Sequence, residues 1–222
     1  MKSLTSKTQH DVTLEPVVGA SSPLFTSCLT ILRESIPPSE QLHDQKLKKL
    51  LERDDYRMYA LLQNAAVAAT AILYAPKDEE FVLLDYMAVR ADLRGLGLGS
   101  LLFQKLVKIS RQRAAAGYLI FEVDDDRGDP AHVDSVNRRR IEFYRRLGAQ
   151  LVANANYLFP SPSGPGVPMR LMVYRLSPET KLTQEAVRAS VENIFREIHG
   201  RDRNDTLLRS IVDRLPLYLI LE

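Results

Sequence analysis

The chain has 222 residues, 45% of them apolar and 26% charged, which is ample apolar content for a real core. Thirty basic residues against 28 acidic ones leave a formal charge of +2, which argues against a nucleic-acid binder held by counterion release. The single cysteine, Cys28, excludes an intrachain disulfide and a cysteine-based zinc site.

The first segment, Met1–Asp11, is polar and has no apolar run after Lys2 and Lys7, so a flexible terminus is expected rather than a secretory signal. Val12–Val18 reads as a first strand. Ser22–Ser35 and Ser39–Arg53 read as helices separated by Pro37-Pro38, the second with a stripe of Leu42, Leu47, Leu50 and Leu51. Met58–Ala75 is the least polar stretch, but Gln63 and Asn64 interrupt it, and a membrane helix needs about 20 apolar residues. Tyr56–Leu62 and Ala65–Tyr74 are therefore expected as a hairpin, with no membrane partner and a cytoplasmic setting by default. Phe81–Val89 is a further strand. Gly97–Ala116 has apolar residues at a helical period and stops at Gly117. Tyr118–Val123 is a continuous apolar run with one carboxylate, the pattern of a strand buried on both faces.

An acidic turn, Asp124–Asp126, precedes a basic helix over Ser135–Leu147 that stops at Gly148. Leu151–Phe159 and Met169–Leu176 read as strands around a loop rich in proline, serine and glycine (Pro160–Pro168). The rest reads as helical. Val187, Val191, Ile194 or Phe195 and Ile198 share one face, and Leu207, Leu208, Ile211, Val212 and Leu215 form another stripe. The order predicts an α/β domain of about seven strands over residues 12–176, with a helical extension over 177–222.

Of the ten glycines, Gly95, Gly97 and Gly99 fall within five positions, between the strand ending at Val89 and a long helix. Such a junction lets the backbone approach a ligand and offers it unpaired N–H groups at the positive end of a helix, a cradle for phosphate or pyrophosphate. Arg94 adds a charge beside it. Ser100-Leu101 is not the Lys-Ser/Thr of a Walker loop, and the third glycine comes one residue too soon for a dinucleotide fingerprint. What fits is Arg/Gln-x-x-Gly-x-Gly/Ala, read as Arg94, Gly97 and Gly99.

With that loop, a second motif about 40 residues on, running from Asn137 through Arg140, Ile141, Phe143, Tyr144 and Leu147 to Gly148-Ala149, resembles the GCN5-related N-acetyltransferase (GNAT) family over roughly residues 12–176. The resemblance implies a mixed, mostly antiparallel sheet flanked by helices, and transfer of an acetyl group from acetyl-CoA to an amine without a metal. It implies that the strand before the loop splays from its neighbour. The backbone of Met87, Ala88 and Val89 would then bond the thioester carbonyl and pantetheine. The amides of Arg94, Gly95, Leu96, Gly97, Leu98, Gly99 and Ser100 would hold the pyrophosphate. Asn137 matches a pantetheine-contacting asparagine, and Tyr144 matches the tyrosine that protonates the departing thiolate. Arg140 stands where the family has a small residue, and Ala149 where it has an aromatic. The acceptor pocket would be built from Ser22–Arg53 and Tyr157–Met169. The expected partners are the amine acceptor and, if the extension covers a second copy, a homodimer; no nucleic acid is expected.

Amine acylation needs a base, a polarised carbonyl and a proton for the leaving sulfur. Asn137, Ile141, Tyr144 and Gly148 recur at helical intervals, which puts Tyr144 on a face that Asn137 borders, although a core aromatic beside Phe143 has the same pattern. Asp85, Met87 and Val89 alternate, so strand pleating predicts one shared face and a carboxylate of raised pKa among apolar neighbours. Glu122 has a similar place on the next strand, and either carboxylate can serve as base. Asp124–Asp126 with Asp129 either attract a cationic amine or form a solvated turn. The four histidines, His10, His43, His132 and His199, lack metal-ligand spacing. Arg138–Arg140 with Arg145-Arg146 read as a solvated basic face or a contact to the cofactor's 3′-phosphate. The other class of function that these features allow is a noncatalytic acyl-CoA-binding scaffold.

Overall fold

A computed structural model of the chain describes residues 12–114, 117–127, 136–161 and 166–222. Met1–Asp11, Ala115-Ala116, Asp129, His132, Ser135 and residues 162–165, all named in the expectations above, lie outside the described residues. The strands are β1 (Val12–Val17), β2 (Tyr56–Gln63), β3 (Ala66–Tyr74), β4 (Phe81–Val89), β5 (Tyr118–Asp124), β6 (Gln150–Leu151), β7 (Tyr157–Phe159) and β8 (Val167–Arg175). They form one sheet in the order β1-β2-β3-β4-β5-β8-β6, with β7 also on β8. Every pairing is antiparallel except β4 with β5. The expected mixed, mostly antiparallel sheet is thus present, with eight strands rather than about seven. The extra strand arises because Leu151–Phe159 divides into β6 and β7 around a turn at Ala153-Asn154.

The helices are α1 (Pro23–Ser35), α2 (Asp44–Leu50), α3 (Leu98–Arg113), α4 (Val136–Arg146), α5 (Gln184–Ile194) and α6 (Thr206–Val212). α1, α2, α5 and α6 bury Cys28, Leu47, Val191 and Ile211 on one face of the sheet. α3 and α4 bury Leu102, Phe103, Leu106 and Ile141 on the other. Each such side chain contributes about 1.5–3 kcal/mol on leaving water. The predicted β2–β3 hairpin forms, with Asn64 and Ala65 at φ 51° and 62° as its two-residue turn. Both central residues have the positive φ that matches strand twist; asparagine tolerates it and alanine takes it at a cost.

Two local departures shape the site. Ser39–Arg53 is not one helix: a 3₁₀ turn over Pro38–Glu40 comes first, and α2 starts only at Asp44. The Tyr86 hydroxyl donates to the Glu40 carbonyl (2.7 Å) and accepts from the Leu42 amide (3.1 Å), which holds the link extended. Arg33 fastens α1 to the same link through Gln41, the Leu42 carbonyl and Asp44. At the other end, Pro216 follows α6 and the chain turns back as an edge segment. Leu151 and Glu222 exchange backbone hydrogen bonds of 2.7 and 3.0 Å.

Candidate active site

β4 and β5 pair only from Phe81↔Tyr118 to Leu83↔Ile120. Beyond that they diverge, and a cleft of about 880 Å³ opens between Leu84–Val89 and Phe121–Asp124. The β5-facing backbone edge of β4 is left open while β3 still pairs its other edge out to Val89. The splay expected from the resemblance is therefore present.

The glycine segment closes one end. After β4, a 3₁₀ turn (Ala91–Leu93) leads to Gly95 and Gly97, both at φ 81°, and α3 begins at Leu98. Positive φ is what glycine supplies at these two positions. Gly97 is the N-cap and has no side chain to bond the first-turn amides, and only the Leu101 amide returns to the Gly97 carbonyl. The amides of Leu98, Gly99 and Ser100 are left facing the end of the helix that favours anions. A Cβ on Gly99 would stand 3.3 Å from Phe143 Cζ, so glycine lets the start of α3 close on α4. Gly95, Gly97, Leu98, Gly99 and Ser100 line the cleft with Met87, Ala88 and Val89. Arg94 also lines it, and its guanidinium donates to the Val89 carbonyl (3.2 Å) and to Ser35 Oγ (3.1 Å). Two predicted binders, Leu96 (for its backbone amide) and Asn137, are not among the residues that line the cleft. The Leu96 side chain is 64% exposed. The Asn137 side-chain amide donates to the Asp125 carbonyl (3.1 Å).

Tyr144 lines the cleft between Phe121, Phe143 and Phe103, with ring centroids 4.6, 5.0 and 5.4 Å away. It is 7% exposed, and its hydroxyl has no hydrogen-bond partner among the described residues. Burial pushes its pKa up to about 12, so the phenol keeps its proton through the neutral range. Asp85 and Glu122 both line the cleft. The Tyr56 hydroxyl donates to Asp85, and the Tyr157 hydroxyl to Glu122 Oε1 (2.8 Å). Burial lifts the Asp85 carboxyl to about 6, against the opposing pull of the Tyr56 bond and Lys46. Burial lifts Glu122 to about 7, and the negative fields of Asp85 and Glu40 add to the effect of burial.

The shared face expected for Asp85, Met87 and Val89 is not found. Ile72 pairs with Tyr86 and Leu73 with Leu84, so Asp85 is the extra residue of a β-bulge. The bulge resets the alternation. Asp85 turns toward Tyr56 on the α1 side, whereas Met87 and Val89 pack on the α3 side. The acidic turn is also tied up: Asp124 pairs with Arg140, Asp125 with Arg127 (2.8 Å) and Asp126 with the buried Arg170 (2.9 Å). Arg139 and Arg140 line the cleft, while Arg145 bonds Glu142 and Glu222 away from it. Of the histidines, His43 caps α2 and His199 is packed against Phe159 and Phe195.

Sequence reasoning missed Glu40, which lines the cleft with Ser35, Ile36, Phe159 and Met169. Burial and the Asp124 field raise its carboxyl to about 7 against the opposing Arg140. Its neighbour Pro38 marked a break in the chain, but only the Tyr86 bond brings the turn to β4. The phenols of Tyr56 and Tyr157 were missed too, because each reaches its carboxylate from a strand that does not pair with the carboxylate's own.

A family model described as the acetyltransferase (GNAT) family matches residues 25–149, more than half of the chain. A GNAT-family protein from Bacteroides thetaiotaomicron superposes with a TM-score of 0.70 at 20% identity, over 86% of this chain and 99% of that one. The ribosomal-protein-S18-alanine N-acetyltransferase of Escherichia coli superposes at 0.54, with 21% identity over 75% of this chain and 95% of its own. An aminoglycoside 6′-N-acetyltransferase complexed with coenzyme A superposes at 0.56, with 16% identity over 76% and 99%. At these identities the likeness is one of fold. No curated protein matches the sequence. Among the described residues no helix is long and apolar enough to cross a membrane. The family match, the eight-stranded sheet and the splayed cleft agree, and the chain belongs to the GNAT acetyltransferase family.

Proposed function

We propose that the protein transfers the acetyl group of acetyl-CoA to a primary amine, by direct attack while both are bound. The observation that carries the reading is one shared cleft, lined both by the uncapped start of α3 and by Tyr144, Asp85 and Glu122. The residues present fit the cosubstrate. Uncapped amides of Leu98, Gly99 and Ser100, beside Arg94, suit its pyrophosphate, and the open edge of β4 over Met87, Ala88 and Val89 suits the amide-bearing pantetheine arm. When bound, acetyl-CoA supplies the acetyl group as a thioester whose sulfur leaves as the C–N bond forms.

The chain's own groups handle the protons. Glu122 takes the proton that the attacking ammonium must shed; its carboxyl, raised to about 7, lies nearest the operating pH, and the Tyr157 hydroxyl fixes the oxygen it bonds. Asp85 is the second candidate, partly compensated by Lys46. The Tyr144 hydroxyl, protonated and unbonded, gives its proton to the leaving sulfur and regains one from the nitrogen, which sheds its second proton as the amide forms. Leu96 and Asn137 have no assigned part in this scheme; Asn137 steadies the end of β5 through the Asp125 carbonyl. A reducing, cytoplasmic setting suits the free, buried thiol of Cys28. The test is CoA release against a panel of primary amines, wild type beside Tyr144→Phe. Turnover that depends on Tyr144 supports the reading. Acetyl-CoA binding with no amine acetylated refutes it.

A further inference from the structure

The acceptor end of the cleft has a charge balance that narrows the class of amine. Four carboxylates line it: Glu40, Asp85, Glu122 and Asp124. Of the cations that line the same cleft, Arg140 bonds Asp124, while Arg94 and Arg139 are in no ion pair among the described residues and bond none of the four carboxylates; Lys46 lies in the field of Asp85 without lining the cleft. Glu122 is bonded by neutral donors alone, the Tyr157 phenol and its own backbone amide. The Glu40 carboxylate makes no hydrogen bond or ion pair among the described residues; the one cation acting on it, Arg140, is bonded to Asp124. Two acidic groups in one partly apolar cleft are therefore left without a bonded cation of their own, an arrangement that costs stability unless a cation arrives.

The same cleft is also lined by the apolar side chains of Ile36, Phe159 and Met169, and Glu40 and Glu122 lie close enough for the charge of one to act on the other. Tyr144 lies on the same cleft, more than nine-tenths buried with its hydroxyl unpartnered, so this end is built to receive a reacting group. Glu40 is held in place by its own backbone, because Tyr86 clamps its carbonyl at 2.7 Å.

Resting on the acetyltransferase reading above, we propose that the acceptor is a short alkyl diamine: one nitrogen reacts beside Glu122, the methylenes lie on the apolar side chains, and the second ammonium bonds the Glu40 carboxylate. Glu40 is then a specificity-determining residue that never touches the reacting atoms. It discriminates by charge, since a monoamine of the same length leaves its carboxylate unpaired.

The experiment uses the full chain in a CoA-release assay with 1,3-diaminopropane through 1,6-diaminohexane, each against the n-alkylamine of equal length. In the wild type, kcat/KM for at least one diamine is expected to exceed its monoamine by about tenfold or more, the scale of one charge-assisted hydrogen bond. In Glu40→Gln the ratio is expected to fall to within about threefold, chiefly through KM for the diamine, and Glu40→Asp to recover part of it. Circular dichroism and thermal melts establish that both variants fold, and the wild-type ratio tests the idea without any variant. Equal use of monoamines and diamines, or a ratio that survives in Glu40→Gln, overturns the diamine inference and leaves the acetyltransferase reading intact. Turnover of no amine at all overturns both.

Discussion

Tyr144→Phe separates chemistry from architecture more cleanly than any other substitution in this protein. The ring stays, and with it the contacts to Phe121, Phe143 and Phe103 at 4.6, 5.0 and 5.4 Å. Only the hydroxyl goes, and it has no partner among the described residues although the side chain is 7% exposed. The hydroxyl oxygen is not one of the buried atoms left without a partner; it meets solvent in the cleft, so its removal leaves the fold about as stable as before. For a chain of this size the expected change in Tm is within about 2 °C. A general acid contributes about 10²–10⁴ in rate, so kcat is expected to fall at least about a hundredfold. Differential scanning fluorimetry and steady-state CoA release read the two effects on the same preparations. A kcat within about threefold of wild type would refute the role of the hydroxyl in proton transfer. A fall in Tm of several degrees would show instead that the hydroxyl is bonded in the fold. Tyr144→Ala answers neither question, because emptying that aromatic pocket costs about 3–5 kcal/mol by itself.

Three other expectations follow from particular atoms. Glu122 is raised from 4.5 to about 7 and Asp85 from 3.8 to about 6, so the fold favours their protonated forms. The stability they contribute is complete below about pH 4 and is lost as pH rises toward 7. Glu122→Gln should then melt higher than wild type at pH 8, by on the order of 2 kcal/mol, with little difference at pH 4, because Tyr157 still has an oxygen to donate to. The same variant should lose the rise of kcat/KM with pH near neutrality, and a retained rise would move the base to Asp85. Gly117→Ala should cost about 3 kcal/mol or more in urea denaturation, since its Cβ would stand 1.9 Å from the Glu80 carbonyl oxygen. Gly97→Ala, at φ 81° with nothing within 4 Å, should cost only about 1–2 kcal/mol; equal losses would contradict the packing at Gly117.

Much of the frame was legible in the chain itself. The β2–β3 hairpin, the buried β5, the α3 period and the glycines before it are short-range patterns, set by side-chain alternation, helical spacing and the φ that glycine allows. The two motifs placed the glycine loop and Tyr144 on adjoining elements, and both line one cleft. What the pattern could not foresee came from pairing between distant segments. The bulge at Asp85 exists because β3 and β4 slip by one residue at Leu73, and that slip sends Asp85 to the opposite face from Met87 and Val89. Asn137, a motif position, is turned to the Asp125 carbonyl, and Glu40 reaches the cleft because Tyr86, 46 residues on, bonds its carbonyl.

The amino-acid sequence by itself determined most of the elements, because periodicity and turn chemistry act within a few residues of each other, and its two motifs carried the resemblance that implied the family and the mostly antiparallel sheet. The tertiary structure alone decided which charges are paired and which are left for a ligand. Arg140 takes Asp124, Arg170 takes Asp126, and Glu40 and Glu122 line the cleft with no bonded cation of their own among the described residues. Charge balance at a site depends on distance through space, and distance through space is set only when the strands have paired and splayed.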